Sequence, residues 1–197
     1  RTGAKDEGAG LMFRLNPAVD DLPDRFSVEA RGVRLLLLGT VETGGKGCMC
    51  PEGAVLKALM QHLLLRVADH VILDMEAGLE HMGRASATGV DAMLAVVEPG
   101  MRSVQTAMRI QQLARDIGIK QIFVVINKID RREDVDALES RLAGQTVLGV
   151  LPRCEELARA DLDGRSSDVK DQEFCQAVDR LVETLEERLD GQRTAVS

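Results

Sequence analysis

Tryptophan and tyrosine are absent from the 197 residues, and phenylalanine occurs only four times. The chain therefore offers few flat side chains on which the bases of a single-stranded nucleic acid can stack. A basic stripe is missing too: the formal net charge is -7, which argues against a partner held by neutralising a row of phosphates. No apolar run approaches the ~20 residues that a membrane-spanning helix needs, and no signal-peptide pattern is visible. The four cysteines include a pair one residue apart, too close for an easy unstrained disulfide, and this usage suits a reducing cytosol. The expectation is a cytoplasmic protein with neither a nucleic acid nor a membrane as partner.

What the sequence does contain is ordinary for a globular chain, with 45% hydrophobic and 29% charged residues, and its length suits one domain over residues 1–197. Residues 1–32 are acidic and dotted with glycine, and the region reads as mostly loop. Val33–Leu38 is a run apolar at every position but Arg34, which reads as a strand buried on both faces, and Gly39 ends it. Val55, Leu56, Leu59, Met60, Leu63 and Leu64 recur at helical spacing within 52–66. Val71–Leu73 reads as a short strand closed by Asp74, and Met93–Val97, Ile122–Ile126 and Val147–Leu151 repeat the strand pattern. A helix is predicted over 104–117, capped by Ser103 and stopped by Gly118, and another over about 172–189. Strands alternating with helices predict an α/β fold, a mostly parallel sheet flanked by helices.

Between the first strand and the first helix lies Gly44-Gly45-Lys46-Gly47-Cys48-Met49-Cys50-Pro51-Glu52. In an extended segment residues i and i+2 project to one side, so Cys48 and Cys50 can face one ion together. Pro51 suits the first position of a helix, which makes Cys50 the N-cap, where free amides and the helix dipole favour a thiolate. Two thiolates complete half of a tetrahedral zinc or nickel sphere, and a second copy of the chain can supply the rest. The plainer alternative is a pair of small buried residues at a loop–helix junction. His62, His70 and His81 are scattered without a second ligand at useful spacing, and Cys154 and Cys175 read as packing residues.

Ligands of an open parallel sheet bind at the carboxyl ends of its strands. Val71-Ile72-Leu73-Asp74 followed by Met75-Glu76-Ala77-Gly78 has the form of a Walker B strand. Its Asp would hold a magnesium-bound water, and Gly78 can bring a backbone amide near a phosphate. An Asp that simply caps the next turn is the competing account of Asp74. Asn127-Lys128-Ile129-Asp130 matches the N-K-x-D pattern that reads a purine base. An Asp carboxylate accepts from guanine N1 and N2 hydrogens, whereas an Asn side chain alone can serve adenine. Asp130 with Glu133 also spells a capping box for the following helix, so the base stays open. Glu98-Pro99-Gly100 and Pro152 stand at further strand ends. Gly44-Gly45-Lys46-Gly47 falls short of a phosphate-binding loop, because Thr40 stands where the first glycine belongs and Gly47 replaces the hydroxyl residue.

Together these pieces resemble the CooC-type nickel-insertion ATPases of carbon monoxide dehydrogenase maturation, in the MinD and ParA branch of P-loop NTPases. The likeness runs over most of the chain. It is most specific at Gly47-Cys48-Met49-Cys50-Pro51-Glu52, similar to the family's C-x-C motif, and at Asp74-Met75-Glu76-Ala77-Gly78-Leu79-Glu80-His81, similar to its switch. Val96-Val97-Glu98-Pro99-Gly100 with Ser103, and the Asn127-Lys128 pair, also fit. The resemblance implies an ATP/ADP- and Mg2+-dependent homodimer with Asp74 and Gly78 at the phosphates and Asn127, Lys128 and Pro152 at the base. It also implies that nickel, or zinc in its place, sits between the Cys48 and Cys50 pairs of two chains for delivery to the carbon monoxide dehydrogenase catalytic subunit. The family's phosphate loop lies near its N-terminus, so the chain is expected to be N-terminally incomplete and to hydrolyse no nucleotide alone. The alternatives are a nickel-handling GTPase of the same fold, and a MinD-like positioning or dimerisation ATPase with structural cysteines.

Overall fold

The computed structural model describes residues 19, 21–37, 58–59, 70–75, 90–166 and 168–193. The chain divides into two compact units, Arg1–Gly89 and Val90–Ser197.

In the first unit, α1 (Leu22–Phe26) begins with Pro23 in its first turn, where a missing N–H costs nothing. It is followed by β1 (Val28–Ala30) and β2 (Val33–Leu35), paired antiparallel with Ala30 opposite Val33. Arg31 and Gly32 join them with φ of +54° and +76°, and two positive φ values match the turn that fits the twist of a hairpin. The structure thus corrects two expectations. Residues 22–30, within the stretch read as mostly loop, form a helical turn and a strand. Val33–Leu35 is an exposed hairpin strand, not a buried one, with Val33 at 65% and Leu35 at 55% exposure. An apolar run does not disclose its partner, and here the local Arg31-Gly32 turn supplies one. Val19, Ala58 and Leu59 form a small core with Leu22 and Leu36 packed against it. Residues 70–75 carry no helix or strand, so the strand predicted for Val71–Leu73 is not observed. Ile72 is 89% exposed, and among the described residues no strand pairs with this segment.

The second unit carries the predicted α/β architecture. Its sheet is parallel, in the order β3 (Met93–Val97), β4 (Ile122–Ile129), β5 (Val147–Pro152). The chain passes between these strands through α2 (Met101–Asp116) and α3 (Arg132–Arg141), and continues into α4 (Glu155–Leu162) and α5 (Gln172–Arg193). β4 lies in the middle, and Phe123, Val124, Val125 and Ile126 are all buried, which is why its sequence is continuously apolar rather than alternating. β3, an edge strand among the described residues, does alternate: Ala95 and Val97 are buried while Leu94 and Val96 are exposed. One core gathers Ala95, Val97, Val124 and Ile126 with Val104 and Ala107 of α2 and with Leu138 and Leu142 at the end of α3.

α2 ends as predicted. Gly118 takes φ +86°, its N–H donates to the Arg115 carbonyl at 3.0 Å, and the Ile119 N–H donates to the Ala114 carbonyl at 2.9 Å. That pair of bonds is the Schellman arrangement, which satisfies carbonyls left over at a helix end. The start differs from expectation. Gly100 is the cap residue and Ser103 lies inside the first turn, where its Oγ accepts from the Glu98 N–H at 3.0 Å. α5 does have a side-chain cap: Asp171 Oδ1 accepts from the Phe174 N–H at 2.9 Å. β5 approaches α5 through Gly149, where a Cβ would lie 2.8 Å from Leu181 Cδ1.

Candidate functional site

The carboxyl ends of the parallel strands bring Asn127, Lys128 and Pro152 together. β4 and β5 pair in register at Ile126 with Val150, lose register, and resume at Ile129 with Pro152. Asn127 and Lys128 occupy that irregularity. Bulges of this kind re-aim side chains at the rims of sheets. Lys128 has φ +58°, unusual for a residue with a Cβ, and Asn127 Oδ1 accepts from the Lys128 N–H at 2.9 Å. The ladder closes again beyond the bulge, where the Arg153 N–H donates to the Ile129 carbonyl at 2.9 Å.

Two ion pairs cross this end of the sheet. Lys128 Nζ lies 2.6 Å from Glu98 Oε1, linking the bulge to the loop after β3. Arg153 Nε donates to both carboxylate oxygens of Asp130, at 3.0 and 3.1 Å, linking the segment after β4 to that after β5. All four side chains are about half exposed, and exposed pairs are worth only about 0–1 kcal/mol. A left-handed backbone at a non-glycine residue costs on the order of 1–2 kcal/mol. The Lys128 pair therefore does not offset the strain alone. The Asn127 side-chain bond and the resumed ladder at Ile129 also hold the bulge.

Asp130 does not act as the helix cap read from its spacing with Glu133. The cap residue of α3 is Arg131, in extended conformation and without a side-chain cap bond. Arg131 instead meets Asp134, with Nε at 3.4 Å and Nη2 at 3.2 Å from its two carboxylate oxygens. The hydrogen bond to Asp134, followed by the charges of Asp134 and Glu133, raises the Arg131 pKa above its ordinary value. Asp130 is thereby left to Arg153. Sequence reasoning missed Arg153, because its relation to Asp130 depends on the β4–β5 register. Its position one residue beyond Pro152, at the end of a strand, was the available signal.

Asp74 belongs to the first unit and is exposed at the end of the irregular segment 70–75. Cys48, Cys50 and Gly78 lie outside the described residues, as do His62 and His81. Among the described residues no group of three or more His, Cys, Asp or Glu side chains could hold a metal ion. Cys154 is buried and Cys175 half-buried, as packing residues should be. No helix among the described residues is long and apolar enough to cross a membrane.

The family model described as the CobQ/CobB/MinD/ParA nucleotide binding domain matches residues 10–167. An uncharacterized ATP-binding protein of Methanocaldococcus jannaschii is 44% identical over 168 residues, covering 84% of this chain and 65% of the relative. The carbon monoxide dehydrogenase accessory protein CooC of Rhodospirillum rubrum is 45% identical over 166 residues, covering 84% of this chain and 63% of the relative. The chain thus spans somewhat less than two thirds of the length of these relatives. The MinD cell division protein of Aquifex aeolicus superposes with a TM-score of 0.45 at 21% identity, over 53% of this chain and 48% of that one.

Proposed function

The chain belongs to the CobQ/CobB/MinD/ParA nucleotide-binding domain family, and on that footing we propose that it is the nucleotide-binding part of an ATP-dependent metallochaperone serving carbon monoxide dehydrogenase. The observation that carries this reading is the 45% identity over 166 residues to a carbon monoxide dehydrogenase accessory protein. The Cys48-Met49-Cys50 pair at a helix start supplies the matching chemistry.

In this reading ATP binds with Mg2+, its base against Asn127, Lys128 and Pro152. Asp74 orients a magnesium-bound water, and the backbone amide of Gly78 faces a phosphate. The cargo is nickel, or zinc in its place. Cys48 and Cys50 of two copies surround it with four thiolates, a complete tetrahedral set for a borderline-soft ion. Nucleotide state biases the dimer because ATP and ADP differ in how well each stabilises the two arrangements of the subunits. The carbon monoxide dehydrogenase catalytic subunit receives the ion, in a reducing cytoplasm where the thiols stay free. Arg153 on the Asp130 carboxylate favours adenine over the guanine alternative.

The test measures metal content and oligomeric mass together on the full-length protein, for wild type and for the Cys48→Ala, Cys50→Ala double variant. One nickel or zinc ion per dimer, lost in the variant, is the expected result. Wild-type protein that takes up neither metal would overturn the delivery function and leave the thiols as packing groups.

A further inference from the structure

Asp130 completes an N-K-x-D string, the pattern in which a carboxylate accepts two hydrogens from guanine. That recognition needs both carboxylate oxygens presented side by side to one planar donor edge. In this protein the position is taken. Arg153 Nε stands 3.0 Å from one oxygen of Asp130 and 3.1 Å from the other. A donor equidistant from the two oxygens lies on the bisector of the carboxylate, where an incoming pair of guanine N–H groups would have to sit.

The neighbouring cations are committed elsewhere. Lys128 pairs with Glu98, and Arg131 pairs with Asp134. Arg153 is held in place by its own backbone, since its N–H continues the sheet ladder to the Ile129 carbonyl. Its side chain therefore leaves the sheet one residue beyond the Ile129–Pro152 pairing and beside Asp130.

We infer that Arg153 is a specificity-determining residue of the nucleotide site: by occupying the Asp130 carboxylate it withholds the acceptor that guanine requires and leaves Asn127 to select adenine. This rests on the nucleotide-binding reading above. The guanidinium acts as an internal stand-in for the base edge of GTP. Displacing it would break one charge-assisted pair to form another, so guanine gains little on entering. Adenine, which has an exocyclic amino group where guanine has its carbonyl and lacks the N1 hydrogen, makes no demand on Asp130.

The test is competition of ATP and GTP for a fluorescent ATP analogue on the full-length protein, with the melting temperature of each variant recorded. Wild type is expected to prefer ATP. In Arg153→Gln the freed carboxylate should improve GTP competition relative to ATP by up to about fivefold, the worth of the half-exposed ion pair that guanine no longer has to displace. Adding Asp130→Asn to that variant should return the preference to the wild-type value. Asp130→Asn alone should leave the ratio unchanged, and this arm does not depend on how well Arg153→Gln folds. An unchanged ratio in folded Arg153→Gln, or a loss of GTP binding in Asp130→Asn alone, would overturn the role of Arg153 while leaving the ATPase reading standing. A wild-type protein that binds neither nucleotide would overturn both.

Discussion

Lys128 Nζ and Glu98 Oε1 stand 2.6 Å apart, and the lysine that makes this pair holds a left-handed backbone at φ +58°. Charge and strain at that residue can be separated by substitution. Lys128→Gly removes the exposed pair, worth about 0–1 kcal/mol, and relieves a backbone strain of about 1–2 kcal/mol, so stability should hold or rise slightly. Lys128→Val also loses the pair but places a β-branched side chain where φ is positive, and should cost at least about 1 kcal/mol. Urea unfolding of both variants decides the matter. Equal destabilisation by Gly and Val would mean that the ion pair, not the backbone, governs this bulge.

The contact between β5 and α5 depends on the absence of a side chain at Gly149. A Cβ there would meet Leu181 Cδ1 at 2.8 Å, the far end of a side chain that can swing aside. Gly149→Ala should therefore cost only about 1 kcal/mol, whereas Gly149→Val should cost about 1–3 kcal/mol from overpacking. Combining Gly149→Val with Leu181→Ala should be less damaging than the two single effects added, because each change makes room for the other. Additive losses in denaturant melts would show that the helix does not bear on this glycine.

Ile126 is fully buried in the central strand, among Val97, Val104 and Val124 of one core. Ile126→Val should cost about 0.5–1.5 kcal/mol and Ile126→Ala about 2–5 kcal/mol, the latter by leaving a cavity. Thermal unfolding checks both, and a loss below that of Ile126→Val in the alanine variant would place the core elsewhere.

The parts of this fold that could be read from the sequence are those whose signal is local. The apolar runs of β3, β4 and β5 and the Gly118 stop of α2 rest on strand composition and on a backbone only glycine enters easily. Val33–Leu38 and Val71–Leu73 also read as strands from their apolar residues, yet Val33–Leu35 is an exposed hairpin strand and Val71–Leu73 has no strand at all. What a strand becomes depends on its partner, which composition does not name. Asn127, Lys128 and Pro152 were legible as strand-end residues and do come together. Asp130 was legible as chemistry but not as half of an ion pair, because Arg153 reaches it only through the β4–β5 register.

Asp74 separates two accounts of the same residue. It is exposed, at the end of a segment without helix or strand, so removing its side chain should disturb little packing. Surface substitutions of that kind usually stay within about 0.5 kcal/mol, so Asp74→Ala should unfold in urea like wild type. If Asp74 orients a magnesium-bound water, the same variant of the full-length protein should lose at least about 100-fold in Mg2+-dependent ATP turnover, the scale seen when one preorganised electrostatic group is removed. If instead the carboxylate only caps a turn, the signs exchange: about 1 kcal/mol of stability is lost, as for other caps, and turnover survives. Measuring both quantities on one variant therefore assigns Asp74 to the chemistry or to the chain.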